Sequence, residues 1–379
     1  MKKAPGIVLF IVFFMSCGGP QTRIDRTYVN GVEVILNHRE PYRIKGQPST
    51  FSFEQVLLID LERADLAEAG LLSGGEWDVD GDGNIYVVGF KNRENLVYRF
   101  DRSGRLTGSF GRRGQGPGEL QWPFFSGVST DGQAMITDFG VKFVVYDRNG
   151  AVLREERLDR QTTRLEALGN GKSLAFRPRP DLMKGDVAVD LLTLCDGKFR
   201  DLRVLDRYER TMDDSKQVPF FMWRVTGDRI IVANEARGYE LWVYDLDGNL
   251  VRKIRKDGRP VRVTDDIKDA ILGPGWRRAG TSSPSKYFGD PLPPLNQFFT
   301  DDEGRVFVMT YEPGPAAGSY LWDIFDADGI FVGRKALDLD WAGLYAGPHY
   351  TFIKKGYLYC HRIKDSGYHE LVVSKVTWR

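Results

Sequence analysis

Residues 78–150 read DVDGDGNIYVVGFKNRENLVYRFDRSGRLTGSFGRRGQGPGELQWPFFSGVSTDGQAMITDFGVKFVVYDRNG, and this stretch contains one unit twice. In each copy an Asp-Gly turn leads into an apolar strand. A later strand ends in an aromatic residue followed by Asp, and a tight turn then closes on Gly. The opening turns are Asp80-Gly81 and Asp131-Gly132, and the closing turns are 100–104 and 146–150. Four short strands in a period of about fifty residues are typical of one blade of a β-propeller.

The same pattern continues along the rest of the chain. Turns rich in Asp, Asn and Gly precede six apolar runs, which read IYVV, AMIT, SLAF, RIIVAN, VFVMT and YLYC. The sequence therefore predicts an all-β fold, a six-bladed β-propeller, over residues 29–379. The longest irregular stretch, residues 256–296, is expected to be an insertion between blades 4 and 5.

The last repeat contains only three strands, so its fourth strand must come from elsewhere. Residues 51–61 form an apolar strand ahead of the first repeat, and propellers commonly pair their two termini in one blade. We therefore expect the ring to be closed by pairing this N-terminal strand with the last blade. The alternative is that residues 29–36 form the pair and residues 51–61 pack elsewhere.

The first residues have the pattern of an export signal. Two lysines precede a continuous apolar run over residues 6–16, which is too short to span a bilayer. A small residue then precedes Cys17, and glycines follow it. This resembles a bacterial lipoprotein signal, which implies a signal peptide at 1–16, lipid attachment at Cys17 and a tether at 17–28. Gly18 at the next position would favour the outer membrane. The alternative is an ordinary secretory signal with an incidental cysteine.

Composition excludes some classes of partner. The chain has 379 residues and a formal net charge of +1, so we expect no general attraction to nucleic acid. Its three cysteines are too few for a disulfide framework.

One blade junction carries the clearest family resemblance. Residues 110–132 read FGRRGQGPGELQWPFFSGVSTDG, which is similar to the Gly-rich crossing of an NHL repeat. With its signal, the whole chain resembles the six-bladed propeller lipoproteins of bacteria that are related to NHL-repeat and TolB-like propellers. Many members of that group have no assigned activity, so the resemblance implies a fold more than a function.

The sequence offers little support for a metal or cofactor. Residues 78–84 begin like a calcium loop, but the twelfth position, which should be Glu, is Gly89. Lyases built on NHL propellers use a central set of histidines, and here only His349 and His361 could lie near the axis. We expect no metal and no cofactor, and calcium is retained as the less favoured alternative.

A binding face is predicted from propeller geometry. The loops that join second to third strands, and outer strands to the next inner strand, gather on one face around the central channel, here called the top face. Arginine beside aromatic residues suits recognition of a peptide, a glycan or an anionic group. The candidate ligand-binding residues in these loops are Arg113, Trp122, Asp138, Arg177, Trp223, Arg237, Trp276, Arg277, Tyr311 and His361. The alternative is that the charges are solvated and the aromatic side chains fill gaps between blades.

The favoured function is a lipid-anchored cell-envelope propeller that binds, or acts as a scaffold for, a peptide, glycan or protein partner. No catalytic constellation is found, which favours a binding module over an enzyme. Two alternatives stay open. One is a metal-dependent hydrolase or lyase with its site at the mouth of the central channel. The other is an envelope scaffold that uses the blade edges.

Overall fold

The computed structural model describes residues 24–43, 50–71, 74–89, 94–158, 162–211, 221–267, 291–316, 319–337, 339, 351–364 and 368–379. The N-terminal part of the described chain holds three strands and a short helix: β1 (Asp25–Val29), β2 (Val32–Asn37), β3 (Phe51–Asp60) and α1 (Ala64–Glu68). Two 3-10 turns, Pro180–Leu182 and Glu235–Arg237, lie between later strands.

The remaining strands follow in chain order and form repeating groups of four. The first three groups are β4 (Gly74–Val79), β5 (Ile85–Gly89), β6 (Val97–Phe100) and β7 (Leu106–Phe110); β8 (Pro123–Val128), β9 (Ala134–Asp138), β10 (Lys142–Tyr146) and β11 (Val152–Arg157); and β12 (Arg164–Ala167), β13 (Ser173–Pro178), β14 (Val187–Cys195) and β15 (Asp201–Thr211). The later groups are β16 (Phe221–Thr226), β17 (Arg229–Asn234), β18 (Glu240–Asp245) and β19 (Leu250–Lys256); β20 (Gln297–Thr300), β21 (Val306–Pro313), β22 (Tyr320–Phe325) and β23 (Phe331–Leu337); and β24 (Thr351–Lys354), β25 (Tyr357–Ile363) and β26 (His369–Trp378).

These groups are the blades of a six-bladed propeller, which confirms the predicted fold class. Within each blade, consecutive strands pair antiparallel. Inner strands of successive blades contact one another around the axis, as β4 does with β8 and β16 with β20. The hydrophobic core is divided into six clusters, one at each junction between neighbouring blades. Each blade is therefore stabilised by apolar contacts with both of its neighbours.

The turns between third and fourth strands explain the repeated Asp of the sequence. In blade 2 the Asp147 carboxylate accepts hydrogen bonds from the backbone N–H groups of Asn149 and Ala151, each at 2.8 Å. The same two bonds recur in four other blades, at the carboxylates of Asp101, Asp196, Asp245 and Asp326. A side chain that replaces the missing backbone partners in this way fixes a tight turn.

The glycine that closes this turn packs against the preceding blade. Gly150 has a φ of +88°, and a Cβ added there would lie 2.7 Å from Phe110 Cγ, on the outer strand of blade 1. Equivalent contacts are made by Gly104 with Leu57, Gly248 with Leu205 and Gly329 with Ile254. Blade 3 differs, because Phe199 occupies this position at a φ of +60° and its ring lies 5.0 Å from that of Phe143.

The N-terminal segment contributes to two blades. β3 pairs antiparallel with β26, with Ile59 opposite Leu371, and so forms the outer strand of the sixth blade. The β1–β2 hairpin instead extends blade 4, where β2 pairs in parallel with β19. Between these strands the chain passes blade 5, and the Tyr42 backbone N–H donates to the Phe331 carbonyl at 2.7 Å.

Part of the predicted domain plan lies outside the described residues. This holds for the signal at 1–16, for Cys17 and for residues 268–290 of the expected insertion. The end of the predicted tether, residues 25–28, lies in β1, because its backbone pairs with β2. Within the described part of the chain, no helix has the length and apolar character needed to cross a membrane.

Candidate functional site

Exposed hydrophobic side chains in the described loops are concentrated on the top face. Trp122, Phe139, Val141, Met183 and Tyr368 all lie in loops of this face, and all are exposed. The described turns of the opposite face expose no large hydrophobic side chain. An uneven distribution of this kind marks the top face as the better candidate for an interaction.

Three of these residues form a patch on blade 2, which we call the blade-2 surface. It consists of Trp122, Phe139 and Val141, with 64%, 47% and 44% of their surface exposed. The Phe139 backbone N–H donates to the Trp122 carbonyl at 3.1 Å, so the two residues are neighbours across the strand pair. The Phe139 ring also lies 6.0 Å from that of Phe124. The predicted site residue Trp122 is therefore the most exposed member of this apolar surface.

Asp138, another predicted site residue, stabilises the backbone of this surface. Its side chain is buried and accepts hydrogen bonds from the backbone N–H groups of Gln121 at 2.9 Å and Trp122 at 2.6 Å. The carboxylate thus fixes the backbone that carries Trp122, so the role of Asp138 is to stabilise this loop.

The Gly-rich loop beside the surface is held at several points. Lys142 Nζ donates to the Gly116 carbonyl at 2.7 Å, and the Tyr146 hydroxyl donates to the Gly118 carbonyl at 2.6 Å. The Gly118 backbone N–H donates to Glu155 at 2.6 Å. A loop restrained in this way loses little conformational entropy when a partner binds.

Charged side chains border the blade-2 surface. Arg112 is exposed and lies 3.8 Å from a carboxylate oxygen of Glu94 and 3.9 Å from one of Glu119. The predicted site residue Arg113 is partly buried in the same loop, where its backbone forms an isolated β-bridge with that of Leu120. An apolar centre with a charged border is the usual anatomy of a protein interface.

Two other predicted site residues, Arg177 and Trp223, are buried. Arg177 pairs with Asp201 and donates to Thr162 Oγ1 at 3.0 Å. The Trp223 indole N–H donates to Glu166 at 2.7 Å. Both side chains tie parts of the fold together and neither reaches solvent to any large extent.

Contacts within the fold also position the side chains of Arg237, Tyr311 and His361. Arg237 forms an ion pair of 2.6 Å with Asp206 of blade 3 and lies over the Trp242 ring at 4.1 Å. Burial raises the pKa of the Tyr311 hydroxyl. Burial, followed by the neighbouring His369, lowers the pKa of His361 to about 3, so the imidazole is neutral near pH 7.

The structure brings together only the predicted residues of blade 2. Arg113, Trp122 and Asp138 share one region, whereas the other described candidates are distributed over blades 3 to 6. Trp276 and Arg277 lie outside the described residues.

A group of charges near the axis was not expected from the sequence. The inner strands carry six charged side chains, here called the axial cluster. Glu76, Asp78, Glu166 and Arg224 are buried, and Arg164 and Lys354 are partly buried. Glu76 of blade 1 forms an ion pair with Arg164 of blade 3, and Asp78 lies 2.9 Å from Lys354 Nζ of blade 6. The sequence signal that could have revealed them is a charged residue inside an inner strand, as in Glu76-Trp77-Asp78.

Burial perturbs the ionisation of the axial cluster. It raises the pKa of Glu166 to about 7, against the opposing effects of the Trp223 hydrogen bond and of the positive charge of Arg224. It also lowers the pKa of Arg224 to about 10.

The axial carboxylates are already engaged by donors. Glu76 accepts from the Phe125 backbone N–H at 2.7 Å as well as from Arg164, and Asp78 accepts from the Val128 N–H at 2.9 Å as well as from Lys354. A divalent cation here would compete with these N–H groups and cations, so the donor set does not favour the metal-dependent hydrolase or lyase. Across the described residues, no three His, Cys, Asp or Glu side chains are grouped to hold a metal ion.

The calcium-like sequence forms a hydrogen-bonded turn. Asp80 accepts from the backbone N–H groups of Asp82 and Asn84 at 2.9 Å, and from the Asn84 side chain at 2.8 Å. This is the same use of an Asp carboxylate as in the other turns of the blades.

Comparison with known proteins shows a shared fold. No known family profile and no curated protein matches the sequence. A Bacteroides fragilis protein described as exported has a similar crystal structure, with a TM-score of 0.54 and 14% identity, covering 91% of this chain and 99% of that chain. A gluconolactonase of Xanthomonas campestris gives a TM-score of 0.39 at 11% identity, covering 89% of this chain and 98% of that chain. BamB from Moraxella catarrhalis gives 0.32 at 10% identity, covering 79% and 81%. The similarity to the Bacteroides fragilis protein shows the fold, and at 14% identity it assigns no activity.

Proposed function

We propose that the chain is an exported, lipid-anchored cell-envelope propeller that binds a protein partner through the blade-2 surface. The observation that carries this proposal is the exposure of Trp122 beside the exposed Phe139, at the end of a restrained loop. Tryptophan is among the residues that contribute most to binding energy in protein interfaces. A side chain of this size, left in water by a fold that buries Trp77 and Trp322 completely, is best explained by an external partner.

The chemistry of the patch favours protein over glycan. Glycan recognition requires polar groups near the aromatic rings, to bond the sugar hydroxyls. Here the Asp138 carboxylate is buried and accepts two backbone N–H groups, and the bordering Glu119 carboxylate accepts the Gly116 N–H. Phe139 and Val141 add apolar area, which suits the hydrophobic centre of a protein interface.

Export and anchoring are supported by the N-terminal sequence. The apolar run at 6–16 followed by Cys17 has the form of a lipoprotein signal, and Gly18 is consistent with the outer membrane. The exported description of the Bacteroides fragilis protein of similar fold agrees with this assignment. A single lipid site at Cys17 would keep the propeller at a membrane without a spanning helix.

Anchoring is tested by fractionating a bacterial host that expresses the full chain. The wild-type protein should sediment with membranes and enter the detergent phase, and the Cys17→Ser variant should do neither. Equal partitioning of the two proteins would refute the lipid anchor.

Partner binding is tested by site-specific photo-crosslinking in the same host. A photoreactive amino acid at position 122 or 139 should give a light-dependent adduct of discrete mass. The matched control is position 202 on β15, where Leu202 is exposed to a similar extent but lies away from the top face. A smear from position 122 would indicate a glycan. Equal adducts from positions 122 and 202, or none from 122 and 139, would refute the blade-2 surface.

A further inference from the structure

A polar pocket lies between blades 4 and 5, on the top face and away from the blade-2 surface. It encloses about 410 Å³ and is lined by Arg39, Glu40, Pro41, Lys256, Asp257, Arg259, Glu312 and Arg334. A volume of about 410 Å³ is within the range of small-molecule sites in proteins.

The wall of the pocket is fixed by specific hydrogen bonds. Asn37, at the end of β2, donates to the Gly329 carbonyl at 3.0 Å and accepts from the Phe331 N–H at 2.9 Å, which joins the hairpin to blade 5. The Asp257 N–H donates to the Asn37 carbonyl at 3.0 Å. These bonds hold the segment that carries Arg39 and Glu40 opposite blade 5, so the pocket is built by the fold.

The floor of the pocket contains buried charged side chains that mostly form ion pairs and hydrogen bonds with one another. Asp323 is fully buried and accepts from Arg334 Nε at 2.6 Å and from the Tyr239 hydroxyl at 2.7 Å. Arg334 also binds Glu312 at 3.1 Å. Lys256 is less completely used, because its three N–H donors have two partners, an Asp323 carboxylate oxygen at 3.4 Å and the Asp257 carbonyl at 3.3 Å. Its buried ammonium group therefore keeps donor capacity.

The rim carries uncommitted charge. Arg39 and Arg259 are exposed, and neither has an acidic partner among the described residues. Asp257 lies 3.2 Å from His38, whose imidazole is cationic only when protonated, so Asp257 and Glu40 both keep their negative charge. The lining as a whole carries four cationic side chains, Arg39, Lys256, Arg259 and Arg334, against three carboxylates, Glu40, Asp257 and Glu312. Guanidinium groups bind carboxylate and phosphate oxygens in a bidentate geometry.

We propose that this pocket binds a small oxyanion, a carboxylate or phosphate group, held by Arg39 and Arg259 at the rim and by Lys256 at the floor. The oxyanion could belong to a soluble metabolite or to a lipid headgroup, because the recognising chemistry is the same. Glu40 opposes the negative charge, so its removal should strengthen binding, whereas a cationic ligand would respond in the opposite direction.

The test measures binding of glycerol 3-phosphate and of short-chain phosphatidylglycerol to the purified full chain, by calorimetry at low salt. We expect Arg39→Ala/Arg259→Ala to weaken binding by about tenfold or more. Glu40→Gln should tighten it by about threefold. Arg102→Ala is the matched control, because Arg102 is an exposed arginine in a turn of the opposite face, and it should leave affinity unchanged.

Each outcome has a defined meaning for the proposal. Equal affinity for the two probes supports a soluble oxyanion, and binding of the phosphatidylglycerol alone supports a headgroup. The proposal is overturned if neither probe binds at about 10 mM, which corresponds to ~3 kcal/mol of binding free energy. It is also overturned if the arginine variant binds as well as wild type, or if Glu40→Gln binds more weakly. Unfolding temperatures of the variants separate loss of binding from loss of fold.

Discussion

Gly150→Ala should destabilise the propeller much more than a glycine substitution in an open turn. Gly150 has a φ of +88°, where an L-residue loses about 1 kcal/mol through backbone strain. The added methyl group would also overlap Phe110 of the preceding blade, since its distance to Cγ would be 2.7 Å. Overpacking of this kind costs about 2 kcal/mol, so the total loss should be about 3 kcal/mol.

Gly171→Ala is the matched control. Gly171 also lies in a turn and has a φ of +76°, but a Cβ added there would have no neighbour within 4 Å. Only the strain of about 1 kcal/mol should remain. The two variants should therefore differ by about 2 kcal/mol in the free energy of unfolding.

Urea unfolding of the full chain, followed by tryptophan fluorescence, measures this difference. With a denaturant dependence of about 3 kcal/mol/M, the midpoint of Gly150→Ala should lie about 0.7 M below that of Gly171→Ala. The atoms that the methyl group would overlap include the Phe110 Cβ as well as its ring, so adding Phe110→Gly to Gly150→Ala should remove the overlap. The double variant should then be more stable than the sum of the two single losses predicts. Equal midpoints for Gly150→Ala and Gly171→Ala, with no coupling to Phe110, would refute packing of the turn against the neighbouring blade.

Two further predictions concern Phe199 and Glu166. Phe199→Ala should be about 1 kcal/mol less stable than Phe199→Gly in urea unfolding. Both variants lose the contact with Phe143, but only Gly relieves the backbone strain at a φ of +60°. The opposite order of stability would contradict strain at this turn. Burial raises the pKa of Glu166 from 4.5 to about 7, so the folded state holds this proton more tightly than the unfolded state does. As the pH rises from 4.5 to 7, the free energy of unfolding of wild type should therefore fall relative to that of Glu166→Gln, by about 1.4 kcal/mol per pH unit. A stability difference between these two proteins that stays constant over that range would show that Glu166 does not titrate there.

The fold could be predicted because its signals are local. The carboxylate of each Asp-x-x-Gly turn bonds backbone groups two and four residues further on, as at Asp147, so the turn is encoded by neighbouring residues. Repetition of that turn about every fifty residues then predicts a blade.

The environment of the candidate site residues could be predicted only in part. Trp122 is exposed on the top face, as expected for a binding residue, but Arg177 and His361 are buried against residues that the sequence does not place beside them. Loop position indicates the face on which a residue begins, whereas packing decides whether its side chain reaches solvent. For the same reason the axial ion pair of Glu76 and Arg164 was not anticipated, since it joins blades that are not adjacent in the chain.

The position of the β1–β2 hairpin was also beyond sequence reasoning. Asn37 bonds Arg255, 218 residues further along the chain, and the parallel pairing of β2 with β19 has no local sequence signal. The pocket between blades 4 and 5 depends on this pairing, so it could be recognised only from the structure.

The placement of β2 and β3 has a consequence for biosynthesis. Both strands leave the ribosome early, but their pairing partners are synthesised much later. The backbone of β2 can pair only after β19 has emerged, and that of β3 only after β26 has emerged. Until then their unsatisfied edges are available to wrong partners, and contacts that span most of the chain form slowly. Arg379 and Thr50 exchange backbone hydrogen bonds at 2.8 and 3.1 Å, so the sixth blade cannot be sealed before the C-terminal strand has been translated.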